Sequence, residues 1–275
     1  MKELTLQEIQ KYSLDVLLHI HDFCVAHHID YTLAYGTLIG AVRHKGFIPW
    51  DDDIDIIMTR ENFERFLREY QSSKDFMLVS PDDRKSYLAF ARVCDLKNTK
   101  IITRIPWSKY DTGVWVDIFP MDSISDNEEE HRKRWKKLYK FWEITSIARG
   151  AKANAMNHDN WEKSNSLIWL KKFIFLNGCL VRPSVRLFIN WIKSSKYANS
   201  THCAQLACCD EWGFYEKKDF EEYTTLEFEG HQLMVIKEYD KVLRLLYGDY
   251  MQLPPENKRK PKQSHFIKFF LKEKD

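Results

Sequence analysis

Cysteine is sparse in this sequence and shows no pairing pattern. Six cysteines stand at 24, 94, 179, 203, 208 and 209 of 275 residues, with no C-x-x-C among them. This argues against a disulfide framework and predicts reduced thiols in a cytosolic setting. The N-terminus, "MKELTLQEIQKY", lacks the basic-then-apolar order of a secretory signal, and no apolar run is long enough to span a bilayer. Net charge is nearly absent too: 42 Lys and Arg against 40 Asp and Glu leave +2, which excludes a dedicated nucleic-acid binder. There is no internal repeat and no low-complexity tract. Together these absences predict an intracellular, cytoplasmic protein. The composition that remains, 44% hydrophobic and 30% charged, is that of a globular chain able to bury a sizeable core in one or two domains.

The pattern along the chain predicts an α/β arrangement. Residues 5–28 read as an amphipathic helix, capped by Thr5 with Glu8 three residues on, and with Leu14, Leu17, Leu18, His21 and Val25 at helical spacing. A short extended run at 31–36 ends in glycine, and 37–46 reads as a turn opening a short helix. A strand at 53–58 precedes a helix at 60–71 that carries Phe63, Phe66, Leu67 and Tyr70 on one face. Further strands are predicted near 76–79, 87–94, 99–105 and 113–119. Past Asp126 glycine becomes rare, and helices are predicted at 127–149, 163–177 and 183–196. An extended pair near 225–236, a helix at 238–247 and a basic, partly unordered tail complete the chain. Residues 1–125 are the expected chemical half, with 126–275 a mainly helical lid or acceptor platform.

The densest chemical signal is "GFIPWDDDIDIIMTR" at 46–60, where four aspartates fall within five positions beside an apolar run. Like charges next to buried residues are costly unless a cation offsets them. On a strand, residues two apart share a face at a spacing of about 6.5–7 Å, so Asp53 and Asp55 point one way while Ile54 and Ile56 enter the core. That suits two carboxylates on Mg²⁺ with a substrate phosphate completing its shell. Asp52 has the opposite parity and is expected to face solvent, whereas Asp51 has the right parity but follows Pro49-Trp50, where the strand is not yet regular. An EF-hand starting at Asp51 fails, because Ile56 and Asn62 occupy the positions of its glycine and glutamate. A D-x-D glycosyltransferase survives as an alternative. Upstream, "YGTLIG" supplies Gly36, which lets a ligand approach the backbone, and Thr37, which can donate to a phosphate oxygen. Downstream, "GVWVDIFPMD" at 113–122 places Asp117 in a β-rich run, where pairing with 53–58 would make it a third carboxylate.

Two other constellations carry weaker chemistry. "THCAQLACCDEW" offers His202, Cys203, Cys208 and Cys209 as zinc ligands, against the simpler reading of idle thiols. The stretch 168–192 and "HRKRWKKLYK" at 131–140 mix basic with large apolar residues, as does a surface resting on a membrane or a buried helix pair with solvated edges.

The string "YGTLIGAVRHKGFIPWDDDIDI" resembles the LicD family, transferases that move phosphocholine from CDP-choline onto cell-surface glycans and are related to the fukutin group. "VDIFP" at 116–120 and "FEGHQLMVIKEYDKVLRLLYGDYMQLPP" at 228–255 fit the same family, so the likeness brackets the chain and leaves 125–225 without a matching motif. The resemblance implies a nucleotidyltransferase-like mixed sheet with a helical C-terminal elaboration. It implies Asp53 and Asp55 as metal ligands for Mg²⁺, or Mn²⁺ in its place, with Asp51 an outer member, and Asp117 as the third catalytic carboxylate, which completes the metal site or takes the proton from the acceptor hydroxyl. Gly36 and Thr37 match the donor-phosphate turn, and Arg43 and His44 the basic pair after it. Trp50 reads as a further donor-side residue or as a core plug fixing the loop. Where the family has proline before its last helix this chain has "VIKEYD".

The implied reaction transfers a phospho-alcohol from a CDP-activated donor, CDP-choline first, to a glycan such as lipopolysaccharide or teichoic acid, releasing CMP. The glycan would be lipid-linked, with the protein at the inner face of the membrane and no organic cofactor. Trp107, Tyr110, Trp115 and Trp142 are candidates for an aromatic cage around a choline-type head. Rival readings are a nucleotidyltransferase placing NMP on a small acceptor, and a non-enzymatic scaffold that binds glycan or membrane.

Overall fold

The computed structural model describes residues 1–83, 86, 88–103, 112–148, 181–193, 195–208, 212–261 and 267–273. Helix α1 (Leu6–His27) begins as its capping box requires: the Thr5 hydroxyl accepts from the Glu8 amide at 3.3 Å, and the Glu8 carboxylate accepts from the Thr5 amide at 2.9 Å. Its buried stripe is Ile9, Ser13, Val16, Leu17, Ile20 and Cys24. This is rotated from the predicted face, and Val25 is left 51% exposed. Leu14 and Leu18 flank the true stripe, so the apolar periodicity alone could not choose between neighbouring faces.

The predicted strand at 31–36 shortens to β1 (Thr32–Leu33), because the chain turns at Tyr35 (φ 48°) into α2 (Tyr35–His44). Strand β2 (Asp55–Thr59) leads into α3 (Arg60–Glu69), whose Phe63 and Phe66 are buried as the spacing predicts. Strands β3 (Phe76–Val79), β4 (Ala91–Asp95), β5 (Thr99–Thr103) and β6 (Trp115–Ile124) follow, then helices α4 (Glu128–Ala148) and α5 (Val181–Ile192). The predicted helix at 163–177 lies outside the described residues. Strands β7 (His202–Gln205) and β8 (Tyr215–Glu216) were not predicted. The pair β9 (Tyr223–Phe228) and β10 (His231–Ile236), and helix α6 (Tyr239–Tyr247), were. The tail corrects one expectation, since β11 (Ile267–Leu271) pairs antiparallel with β5 and the Leu4 amide donates to the Phe269 carbonyl at 2.8 Å. Its apolar residues find an open strand edge, which composition does not reveal.

The main sheet runs β1-β2-β6-β4-β3, with β7 on β6 and β8 on β7, so strands from both sides of Asp126 contribute. Only β2 and β6 run parallel, with Asp55 opposite Asp117 in register. Strand parity then divides the core. Ile54, Ile56, Met58, Val116 and Ile118 pack with α1, α3 and the β9–β10 pair. Ile57, Phe119 and Met121 face the other way onto Leu138, Phe188 and Val242 of α4, α5 and α6. The fold is thus a mixed α/β sheet covered on both faces. No helix among the described residues is long and apolar enough to cross a membrane.

Two buried polar features fasten the second layer. Arg60, which opens α3, forks onto Asp122 of β6 with both contacts at 2.8 Å, and Asp122 is only 3% exposed. Burial pushes the Asp122 carboxyl up, with Arg60 opposing. Replacing Arg60 by Met leaves that carboxylate buried without its partner. The expected loss is about 3–5 kcal/mol in urea unfolding, and a loss below 1 kcal/mol would show that the pair is dispensable.

On α4, fully buried His131 lies 2.9 Å from the Gly213 carbonyl through Nε2, while Nδ1 has no partner. The carbonyl fixes Nε2–H as donor, and burial keeps the imidazole neutral. Burial, which outweighs the Gly213 contact, lowers its pKa from 6.5 to about 4. With the folded value below the unfolded one, stability from this group is present above about pH 6.5 and drains as pH falls towards 4, by about 3 kcal/mol in total. Unfolding titrations at descending pH are expected to show that decline in the wild type, and His131→Phe to flatten it.

Candidate active site

The first turn of α2 is fastened to the start of β2. The Ala34 amide donates to the Asp55 carbonyl at 3.0 Å, and the Asp55 amide donates to the Thr37 hydroxyl at 3.0 Å. Thr37 is buried, so one of its two oxygen lone pairs already serves the strand. Gly36 makes room for a contact: a Cβ there would lie 2.4 Å from Asp51 Oδ2. The absent side chain lets the carboxylate lie over the helix's first turn, where the backbone dipole favours negative charge.

Asp51, Asp52 and Asp53 present carboxylate oxygens within 4.8 Å of one another, each residue half-buried. This corrects the expectation for Asp52. Regular strand begins only at Asp55, so parity does not hold upstream and the Asp52 carboxylate joins its neighbours. The loop that carries them is tied down from several directions. Gln10 of α1 donates to the Asp51 carbonyl at 2.8 Å, and the Asp51 amide donates to the Ile48 carbonyl at 2.9 Å. Glu229, at the β9–β10 turn, accepts from the Phe47 amide at 3.0 Å. Trp50 packs against the first core cluster with the Arg259 guanidinium 5.8 Å from its ring centroid.

Asp117 stands beside Asp55 across the parallel pair and beside Arg92 across the antiparallel one, so three strands place the three side chains in a row. Arg92 forks onto Asp117 at 2.6 and 3.0 Å, and the Trp115 indole N–H donates to the same carboxylate at 3.2 Å. The Arg92 guanidinium also lies 4.0 Å from the Trp115 ring centroid. Burial raises the Asp117 carboxyl above the usual range; Arg92 pulls it back, while the negative charge of Asp53 pushes it further up. Asp53 is therefore close enough to Asp117 to act on it electrically. The arrangement gathers five carboxylates where β2 begins and β6 runs alongside.

Arg43 and His44 are not brought to this turn. They close α2, about 10 Å of helical rise from Gly36, where Arg43 donates to the Tyr250 carbonyl at 2.7 Å and to His44 Nε2 at 2.9 Å. Burial, with Arg43 adding to it, lowers the His44 pKa and suits its imidazole to accept. Of the aromatic-cage candidates, Trp115 reaches the site but stacks on Arg92, and Trp142 packs on Phe188 at 5.0 Å; Trp107 and Tyr110 lie outside the described residues. The zinc reading finds no support among the described residues: His202 and Cys203 alternate on β7, so their side chains leave opposite faces, and Asp51, Asp52 and Asp53 form the one metal-capable group. Arg92 was missed from sequence. Its signal was a cation inside the apolar strand "ARVCD", which is costly unless paired.

The LicD/FKTN/FKRP nucleotidyltransferase domain matches residues 28–147, a span enclosing the aspartates, Gly36, Thr37 and Arg92. The lipopolysaccharide cholinephosphotransferase LicD of Haemophilus influenzae is 31% identical over 280 residues, covering 95% of this chain and 97% of that protein. The chain belongs to the LicD family. Shorter likenesses, 36% identity over 75 residues and 39% over 65, reach uncharacterised proteins of Rickettsia typhi and Rickettsia prowazekii, over 26% and 20% of this chain. The LicD relationship therefore extends well beyond the matched domain, to α1, the β9–β10 pair and α6.

Gly36→Ala separates site geometry from stability. The clash is with the far end of a side chain, so Asp51 swings away while the helix gains a better helix former. Unfolding free energy is expected to stay within about 1 kcal/mol, while transferase turnover falls about 100-fold. Unchanged turnover would remove Asp51 from the site.

Proposed function

We propose that this chain transfers a phospho-alcohol, phosphocholine in the first instance, from a CDP-activated donor to a surface glycan or its precursor, releasing CMP. The observation that carries this reading is the end-to-end similarity to Haemophilus influenzae LicD, a lipopolysaccharide cholinephosphotransferase. The carboxylate row at Asp55 and Asp117, beside the Asp51–Asp53 group, supports it chemically. A cytoplasmic setting is part of the same proposal.

The donor atoms are all hard oxygens, the set that suits Mg²⁺ or Mn²⁺. In this reading Asp53 and Asp55 hold the ion with Asp51 as outer member, and Asp117, the third carboxylate, serves as the base. A divalent cation held there would supply neutralisation of charge on the donor's diphosphate. The chain's own groups do the rest. Gly36 lets the Asp51 carboxylate lie against the first turn of α2, whose N-terminus favours its charge. Thr37 keeps the start of β2, and with it Asp55, at a fixed height. Asp117, made more basic by burial, accepts the proton of the attacking glycan hydroxyl. That oxygen forms the new bond to the phosphorus bearing choline, the phosphoanhydride bond breaks, and CMP carries away the electron pair. Arg92 positions Asp117 through its bidentate contact.

The test is CMP release from CDP-choline, CDP-ethanolamine, CDP-glycerol and CDP-ribitol, with and without Mg²⁺, on a crude glycan acceptor. Divalent-dependent CMP from CDP-choline is expected, and Asp53→Ala is expected to reduce it by at least about 100-fold. Arg92→Lys keeps the charge and loses the fork, so kcat should fall about tenfold or more with KM for the donor little changed. A raised KM with intact kcat would instead make Arg92 a donor contact. Pyrophosphate release from nucleoside triphosphates, with no CMP from any donor, would overturn the reaction class.

A further inference from the structure

We propose that the segment from Leu245 to Leu253, with the basic residues that follow it, is a docking platform for a lipid bilayer bearing anionic headgroups. Leu245, Tyr247, Met251 and Leu253 are 60%, 38%, 49% and 44% exposed, four large apolar side chains within nine positions. Single exposed apolar residues need no explanation, whereas four within nine positions mark a segment to be accounted for. These residues belong to an anchored segment. Between them Tyr250 is only 5% exposed, its hydroxyl donates to Asp240 at 2.6 Å, and its carbonyl accepts from Arg43. Pro254 and Pro255 stiffen the chain beyond, and the Pro254 carbonyl accepts from Arg259 Nε at 2.8 Å. The fold therefore keeps Met251 and Leu253 in water beside a residue it buries.

Charge selects the occupant. Lys258, Arg259 and Lys260 follow a few residues on, and from Leu245 to Pro261 these three cations outnumber the two acids, Asp249 and Glu256. Apolar side chains rimmed by cations are complementary to an anionic bilayer, whose interface takes the former and whose headgroups attract the latter. The platform is also joined to the catalytic loop. Arg259 lies over Trp50, the residue before Asp51, and Arg43 ties Tyr250 to α2. A bilayer seated here would bring an acceptor carried on lipid to the aspartates. The surface expected from sequence, 168–192 with the basic run at 131–140, exposes Leu187, Trp191 and Tyr139 in its described part, but there Glu128 and Glu129 offset Arg132 and Lys133 at 2.6 and 2.8 Å.

Co-sedimentation of the full chain with vesicles of phosphatidylethanolamine and phosphatidylglycerol, against vesicles of phosphatidylcholine alone, tests this. Binding to the anionic vesicles is expected, weakening with salt. Met251→Glu with Leu253→Glu, and separately Lys258→Glu with Lys260→Glu, are each expected to weaken it about tenfold or more. None of these four residues belongs to the catalytic group, so CMP release in solution should persist and certify folding. Absence of wild-type binding, or binding indifferent to the Met251 and Leu253 changes, overturns the proposal. So does a dimer in sedimentation velocity that those changes dissociate, since the patch would then face a second copy. Vesicle binding is read without turnover, so failure of the proposed reaction would leave this result standing, and the reverse also holds.

Discussion

Mutual repulsion among carboxylates is the constraint around which this structure is arranged. Asp51, Asp52 and Asp53 converge within 4.8 Å while Asp55 and Asp117 stand side by side on parallel strands. Such a grouping disperses unless each member is restrained by something other than the ligand it serves. The restraints differ in kind. The first turn of α2 opposes the charge of Asp51 with its backbone dipole, and a glycine makes room for the contact. A guanidinium fork and an indole N–H fix Asp117. Backbone pairing with Leu33 of β1 and Ile118 of β6 keeps Ile56, and so the start of β2, in place.

The restraints are drawn from distant parts of the chain. Gln10 comes from the first helix and Glu229 from a hairpin turn more than two hundred positions later, yet both contact the same short loop. Arg43 and Arg259 connect that loop and its helix to the segment after α6. A site assembled this way loses precision when any tie is cut, even where no ligand is touched.

Arg92 gives the site a second character. It satisfies Asp117 and stacks on Trp115, which spares the structure an uncompensated buried charge. The same contact restricts Asp117 to one orientation. A buried ion pair here contributes more to placement than to stability, because its desolvation cost offsets much of its attraction.

Much of this was legible in the residues themselves. The capping box at Thr5 and Glu8, the aromatic face of α3, and the β9–β10 pair follow from local chemistry, and the structure keeps all three. The strand alternation around Ile54 and Ile56 and the likeness of "YGTLIGAVRHKGFIPWDDDIDI" to LicD proteins were equally available, because short-range periodicity and long ordered strings survive in one dimension. What the sequence could not supply was anything that depends on which strands become neighbours. The contact of Asp51 with Gly36, the pairing of Arg92 with Asp117, the rotation of the α1 stripe and the return of the C-terminal strand to β5 are all set by packing. Each requires two segments to meet after the chain has closed its long loops, and the free energy that selects those meetings is shared across the core rather than written at either position.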